Sequence, residues 1–304
     1  MPLLKMSPFT LRERLGDSRI LIAPGVYDGL SACQAEASGA EAVYLSGASI
    51  AYTLLGRPDI GLVSMTEVAE VISRISDRIS IPIIVDADNG YGNALNVQRC
   101  VRLFEKAGAA AIQLEDQTLP KRCGHLTGKS LVSGAEMVGK VQAALDARAS
   151  DRTLIIARTD AIAVEGLDCA LDRADAYVAA GADVLFIEAI GGLEEMRMVN
   201  DRYRGRVPLL VNIVEGGKTP AMTATELQDL GFSLVIFPGG AVRAISHTLI
   251  RYYDSLLAHG TNAPMRDHML DLKGVNTVVG TQELLALGEK YDSEIKPAFS
   301  GDDK

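Results

Sequence analysis

The residues best suited to chemistry lie between positions 81 and 129, in the stretch IPIIVDADNGYGNALNVQRCVRLFEKAGAAAIQLEDQTLPKRCGHLTGK. Asp86 and Asp88 are separated by one residue, so on a regular strand both would point the same way. Two adjacent carboxylates repel unless a cation or a proton sits between them. An oxygen-only ligand set completed by water suits Mg²⁺, with Mn²⁺ an alternative. Glu115, ending the next apolar run, is placed to hold a metal-bound water. The bland reading, a helix cap plus an arginine partner, explains the aspartates but not the glutamate. Five residues after Asp116 comes Lys121-Arg122-Cys123-Gly124-His125. Cationic neighbours suit a thiol to acid–base work, and they make burial of Cys123 in an apolar core a poor alternative. Cys33, Cys100 and Cys169 fall within helical patterns and read as packing residues.

Other strand ends carry polar groups that suit a carboxylate substrate. Arg158 ends one apolar run and Arg243 follows the last; a planar guanidinium clamps a carboxylate with two hydrogen bonds, although either could pair with a neighbouring acid instead. Tyr44-Leu45-Ser46-Gly47 brings a hydroxyl and backbone N–H groups to a second strand end, and Tyr44 is the candidate general base. Asn212 reads as a substrate donor, with a structural turn as its alternative.

The elements that position these groups are eight short apolar runs: Ile20–Ala23, Ala42–Leu45, Ile81–Val85, Ala110–Leu114, Thr153–Ala157, Val184–Ile187, Pro208–Ile213 and Leu234–Phe237. They are continuous rather than alternating, as for parallel strands covered on both faces. Helical patterns separate them, including Leu95–Gly108, Gly134–Ala147, Leu167–Ala180, Leu193–Tyr203 and Thr225–Gly231. Eight β-α units predict a (β/α)8 barrel, and no GxGxxG follows the first strand to favour an open dinucleotide-binding sheet. The polar residues gather at the ends of the runs, where a barrel carries its active site. Arg243–Ala258 and Met265 to Tyr291 are helical beyond the barrel's needs. The chain is therefore expected to be one barrel domain over 1–304 with a helical extension over 243–304, whose apolar faces dock on another subunit, with packing under the same barrel as the alternative.

A net charge of −9 and a pI near 5.1 argue against nucleic-acid and anionic-membrane partners. No apolar stretch could span a bilayer, the first residues lack a signal peptide's apolar centre, and four scattered cysteines form no disulfide framework. A cytoplasmic enzyme of small molecules is expected.

The stretches YLSGAS, GRPDIG, VDADNGYGN, LEDQ, PKRCGH, IARTDA, FIEA and NIVEGGKTP together resemble the isocitrate lyase/phosphoenolpyruvate mutase superfamily, over roughly residues 15–260. The resemblance implies Mg²⁺ at Asp86 and Asp88 with Glu115 in support. It implies substrate contacts from Ser46, Gly47, Ala48, Cys123, Gly124, Arg158, Glu188, Asn212 and Arg243, with His125 in the same loop and Asp59 backing the site. It also implies a homotetramer that exchanges C-terminal helices. Members of that superfamily cleave 2-methylisocitrate or 2-alkylmalates, hydrolyse or decarboxylate oxaloacetate, or rearrange P–C bonds. The cysteine in KRCGH favours the carbon–carbon lyases, where it protonates the departing carbanion. Two departures bear on the substrate. Asn212 is followed by Ile213-Val214 where 2-methylisocitrate lyases have Ile-Thr, and Leu272 stands where they carry an arginine. Both remove donors for a third carboxylate, whereas Pro238 and Arg243 match the methylisocitrate pattern. The expected reaction is cleavage of a 2-hydroxy di- or tricarboxylate to an α-keto acid and a second carboxylate. A phosphonomutase and an oxaloacetate hydrolase or decarboxylase are the alternatives.

Overall fold

Every one of the eight apolar runs becomes a strand: β1 (Leu21–Val26), β2 (Val43–Leu45), β3 (Ile83–Asp86), β4 (Ala111–Glu115), β5 (Leu154–Thr159), β6 (Val184–Ile187), β7 (Leu209–Asn212) and β8 (Leu234–Phe237). Each pairs in parallel with the next, and β8 closes on β1. The protein is a closed (β/α)8 barrel in this computed structural model, which describes residues 9–124 and 128–295, the side chains of 293–295 excepted. Strand β5 runs two residues beyond its apolar stretch, which puts Arg158 within the ladder rather than after it.

The helices are α1 (Leu11–Leu15), α2 (Gly29–Ala37), α3 (Gly47–Ile50), α4 (Met65–Ser76), α5 (Ala94–Ala107), α6 (Gly134–Ala147), α7 (Ile162–Glu165), α8 (Leu167–Ala179), α9 (Leu193–Tyr203), α10 (Ala224–Leu230), α11 (Gly240–His259), α12 (Leu272–Val278) and α13 (Thr281–Ile295). Among the described residues, none is long and apolar enough to cross a membrane. Local chemistry sets their starts. Ser64 and Glu67 form a reciprocal capping box on α4, Thr223 and Glu226 another on α10, and Asn93 accepts from the Leu95 and Asn96 N–H groups at the start of α5. Up to Ile245 the described residues cluster in one compact unit; from Ser246 on they form a second. Within the second, Asp271 caps α12 and the Thr281 hydroxyl donates to Asn276 Oδ1 at 2.7 Å.

Period two along the strands builds both the core and the site. Leu21, Ala23, Tyr44, Ile84, Ala111, Leu154, Ile156, Val184, Phe186, Leu210, Leu234 and Ile236 form one buried cluster drawn from all eight strands, joined by Leu11 and Leu15 of α1. This is the filling of the barrel, layered as in other eight-stranded parallel barrels. Their strand neighbours, among them Val43, Val85, Leu114, Ala157, Leu185 and Val211, pack outward on the helices. Continuing the inward series two residues at a time gives Asp86 after Ile84, Gln113 and Glu115 after Ala111, Arg158 after Ile156, Glu188 after Phe186 and Asn212 after Leu210. The inside of the barrel therefore turns from apolar to charged on nearing the strand ends.

The closure between β1 and β8 needs a residue without a side chain. A Cβ on Gly25 would stand 2.7 Å from Pro238 Cα and closer still to its carbonyl, and that carbonyl accepts from the Ser49 hydroxyl at 3.0 Å. Gly25→Ala should lower the unfolding free energy by about 1–3 kcal/mol through overpacking. Gly139 in α6 has open space around its Cβ position, so Gly139→Ala should raise stability by roughly 0.5–1 kcal/mol. Urea melts of both variants check the pair; a neutral Gly25→Ala would show that the closure has slack.

Candidate active site

Asp86 ends β3, but Asp88 lies in the turn beyond it, at φ +48. Strand alternation therefore does not bring the two together, as the spacing predicted. A left-handed turn does, in a conformation that costs a non-glycine residue energy and recurs at functional sites. The Asp88 N–H donates to Asp86 Oδ1 at 3.1 Å. Both carboxylates face Gly47, whose absent Cβ would lie 3.3 Å from Asp86 Oδ2 and 3.4 Å from Asp88 Oδ1.

The carboxylates here exceed the cationic groups beside them: Asp59, Asp86, Asp88, Glu115, Asp160 and Glu188 against Lys121, Lys129 and Arg158. Lys121 Nζ sits 2.5 Å from Asp59 Oδ1 and 2.7 Å from Asp88 Oδ1. Burial works against this ammonium, but Asp88 and Asp59 outweigh it and hold its pKa well above the ordinary lysine value. Asp88 is pushed up to about 6 by burial and by Asp86, with Lys121 opposing. Despite that ion pair, Asp88 Oδ1 has no hydrogen bond, and neither has Glu115 Oε1. Burial also pushes Glu115 well above the carboxylate range.

Arg158 lies at the centre of the other half. Its Nε and Nη2 donate to Asp160 at 2.9 and 3.1 Å, and Nη1 and Nη2 stand 3.4 Å from Glu115 Oε2 and Glu188 Oε2. The guanidinium lies over the Phe186 ring, 5.1 Å from its centroid. Glu188 accepts from the Ala189 N–H at 2.8 Å and from Asn212 Nδ2 at 3.1 Å, leaving Asn212 Oδ1 buried without a hydrogen bond. Burial works to raise the Asp160 pKa, yet Arg158 and Lys129 hold it below the ordinary value.

The loop carrying Cys123 packs onto this cluster. Gly124 is buried so tightly that a Cβ would collide with Arg158 Nη2 and stand 2.8 Å from Glu188 Cγ, so no larger residue fits there. Cys123 beside it is half-buried. Tyr52, in a π-helical turn over Ala51–Leu55, lies in electrostatic reach of Cys123, Asp59, Arg243 and Lys121. Tyr44 is fully buried on β2; its hydroxyl donates to Gln113 Oε1 at 3.0 Å, and Gln113 Nε2 stands 3.3 Å from Asp86 Oδ1. Burial, with the Asp86 charge adding, pushes the Tyr44 phenol well above its ordinary value. Ser46 caps α3 by accepting from the Ser49 N–H at 3.3 Å. Gly47 and Ala48 open that helix, so their N–H groups have no partner within it.

The structure brings Tyr44, Ser46, Gly47, Asp59, Asp86, Asp88, Glu115, Gly124, Arg158, Glu188 and Asn212 to one end of the barrel. Arg243 stands at the rim, half-exposed, with Nη1 bonded to the Glu215 carbonyl at 3.0 Å and carboxylate at 2.9 Å. The expected contact from His125 lies outside the described residues. Gln113, Tyr52 and Lys129 were not foreseen as parts of the site, and the Asp160 pairing of Arg158 is the alternative that the sequence left open for that residue. For Gln113 and Asp160 the signal was present, since each lies two residues from a strand-end charge, Gln113 within β4 and Asp160 just past the end of β5. Lys129 and Tyr52 sit in loop and turn, where no periodicity points to them.

The residues fit a divalent cation. The Asp86 and Asp88 carboxylates both lie against Gly47, Asp88 Oδ1 is met by the Lys121 ammonium, and Glu115 Oε1 is buried without a hydrogen bond. Among the described residues, no three His, Cys, Asp or Glu side chains converge into a cage. Glu115 does not close one with Asp86 and Asp88, because its Oε2 is drawn to Arg158. Such an open set, completed by water and substrate, is how Mg²⁺ is commonly held.

Fold and site together define a (β/α)8 barrel of the kind that carries an active site, with a buried cluster of acidic residues at its strand ends. The comparisons agree. Residues 11–257 match the phosphoenolpyruvate phosphomutase family, and the chain belongs to it. The chain is 40% identical over 281 residues to 2,3-dimethylmalate lyase of Eubacterium barkeri, covering 92% of this chain and 96% of that one. It is 44% identical over 288 residues to 2-methylisocitrate lyase of Aeropyrum pernix, covering 94% and 90%. A phosphonopyruvate hydrolase crystallised with oxalate and Mg²⁺ superposes with a TM-score of 0.83 at 31% identity, covering 92% of this chain and 97% of that one.

Titrating Mn²⁺ by calorimetry should reveal one binding site per chain. Asp86→Ala and Asp88→Ala should each weaken it by roughly tenfold or more. Wild-type affinity in both variants would put the cation elsewhere.

Proposed function

We propose that this protein is a Mg²⁺-dependent carbon–carbon lyase acting on a 2-hydroxy di- or tricarboxylate of the 2-methylisocitrate or 2-alkylmalate type. Its products are an α-keto acid, such as pyruvate, and a second carboxylate. The observation that carries this reading is that Gly124, the residue after Cys123, packs against Arg158 and Glu188 at the acidic strand ends. Identity of 40–44% to two named lyases over more than 90% of the chain supports it.

Asp86 and Asp88 would hold the cation, with Glu115 Oε1 receiving a water. The cation would supply Lewis-acid stabilisation of the negative charge that develops on the keto-acid fragment. Tyr44 Oη is assigned to take the proton of the substrate hydroxyl. Burial and, after it, Asp86 hold the Tyr44 proton in place, so to act as the base Tyr44 would first release that proton to solvent and take the substrate's as a phenolate, a form that positive charge beside Asp86 would favour. The C–C bond then breaks as the hydroxyl carbon becomes a ketone, and the Cys123 thiol gives its proton to the departing carbon. Arg158, held by Asp160, and Asn212 Oδ1 offer fixed polar contacts to the substrate. The Gly47 and Ala48 N–H groups and Arg243 at the rim complete the set. We further propose a cytoplasmic homotetramer that exchanges C-terminal helices; Leu257, Leu272, Leu284 and Leu285 are exposed in the single chain, and light scattering should give four times the chain mass. A monomer would overturn that assembly.

Cys123→Ser tests the reaction without unbalancing buried charge. Removing Arg158 instead would leave Asp160 with Lys129 and Glu188 with neutral donors, at a cost of about 3–5 kcal/mol for a broken buried pair, and would confuse chemistry with folding. Exchanging the thiol for the weaker-acid hydroxyl should lower kcat for cleavage of 2-methylisocitrate or 2,3-dimethylmalate by about 10²–10⁴-fold, while leaving binding of the keto acid little changed. Wild-type cleavage by the variant would remove Cys123 from the mechanism. Turnover of oxaloacetate or a phosphonate, with no cleavage of either 2-hydroxy acid by the wild type, would overturn the lyase reading.

A further inference from the structure

Lys129 takes no part in the chemistry described above, yet its ammonium is buried, with 1% of the side chain exposed. It donates to the backbone carbonyl of Gly124 and, at 2.8 Å, to Asp160 Oδ1. The first partner belongs to the residue after Cys123. The second is the carboxylate that grips Arg158 through two hydrogen bonds. Asp160 is itself fixed to the barrel wall, because its N–H donates to Asp116 Oδ1 at 2.9 Å. Asp116 is fixed in turn by the Thr159 hydroxyl at 2.7 Å and the Tyr177 hydroxyl at 2.9 Å. A continuous run of bonds thus leads from α8 and β5 through one ammonium to the backbone beside Cys123.

We propose that Lys129 is a positioning residue that ties the Cys123 loop to the Arg158–Asp160 pair, so that the thiol and the guanidinium hold a fixed separation. Hydrogen bonds from a charged donor are shorter and roughly twice as strong as neutral ones, so the tie restrains Gly124 more firmly than a neutral contact would. Gly124 has no side chain of its own to anchor it, so the bond to its carbonyl adds a charged restraint to its packing on Arg158 and Glu188. The inference rests on the lyase reading only for what Cys123 does, not for the tie itself.

Alkylation of the folded protein by iodoacetamide, followed peptide by peptide by mass spectrometry, reads the tie directly. Cys169 on α8 is exposed and serves as an internal reference. In Lys129→Met the ratio of Cys123 to Cys169 labelling should rise several-fold. In the same variant kcat should fall about 10²-fold, the loss expected of an ångström-scale misplacement, with KM little altered. Lys129→Arg, which can still donate to both partners, should return the ratio towards wild type. Should Lys129→Met fail to fold, Asp160→Asn, which removes the charge that Nζ is bound to, should raise the ratio in the same way. A wild-type ratio in a folded Lys129→Met or Asp160→Asn protein would overturn the proposal. Labelling does not depend on the substrate. A raised ratio in a protein whose wild type cleaves no 2-hydroxy acid would support the tie and overturn the lyase reading alone.

Discussion

Buried carboxylates crowd the strand ends of this barrel beside too few cationic groups, and the rest of the site is arranged around that imbalance. Taking a charge out of water costs several kcal/mol per ion even after relaxation. Each carboxylate therefore needs a partner: Asp160 has Arg158 and Lys129, Glu188 has Asn212 and the Ala189 N–H, and Asp59 has Lys121. Asp88 shares Lys121, and Asp88 Oδ1 and Glu115 Oε1 lack a hydrogen bond. Beside Gly47, Asp86 and Asp88 lie together, with the Lys121 ammonium at Asp88. A divalent cation there would meet the demand of Asp86 and Asp88 and present positive charge to an incoming carboxylate.

Barrel geometry makes such a concentration affordable in structural terms. Parallel strands covered on both faces send alternate residues inward, and the inward series is fully apolar up to the last layer. That filling is closed at the strand starts by Leu11 and Leu15, so the charged layer rests on a rigid apolar support. Register sets neighbours across strands: Asp86 beside Gln113, and Glu115 beside Arg158. Glycine then fixes what approaches. Gly47 leaves room beside the aspartates, and Gly124 lets the cysteine loop lie against Arg158.

Much of this was legible in the residues. The eight apolar runs gave the barrel, and polar residues at their ends located the site, because a continuous run ending in charge has one meaning on a doubly covered strand. The Asp86–Asp88 spacing was read as strand alternation, whereas the chain turns left-handed at Asp88 and achieves the same proximity by another route. Turn geometry of that kind leaves no period in the sequence. Arg158 was read as a clamp for substrate with a neighbouring acid as the alternative partner; the structure pairs it with Asp160, two residues on. Lys129 could not be assigned at all, since its partners are a backbone carbonyl and a residue 31 positions away.

Relatives of this chain carry the names of different reactions, two lyases and a phosphonopyruvate hydrolase among them, so the account stands on where a proton is delivered. Cleavage run in D2O, with the products separated and analysed by NMR, measures this directly. Protonation by one fixed thiol at one face predicts a single deuteron in the non-keto carboxylate product, in one stereochemical configuration. Deuterium at random configuration, or a product carrying none at the carbon that lost its bond, would contradict the account.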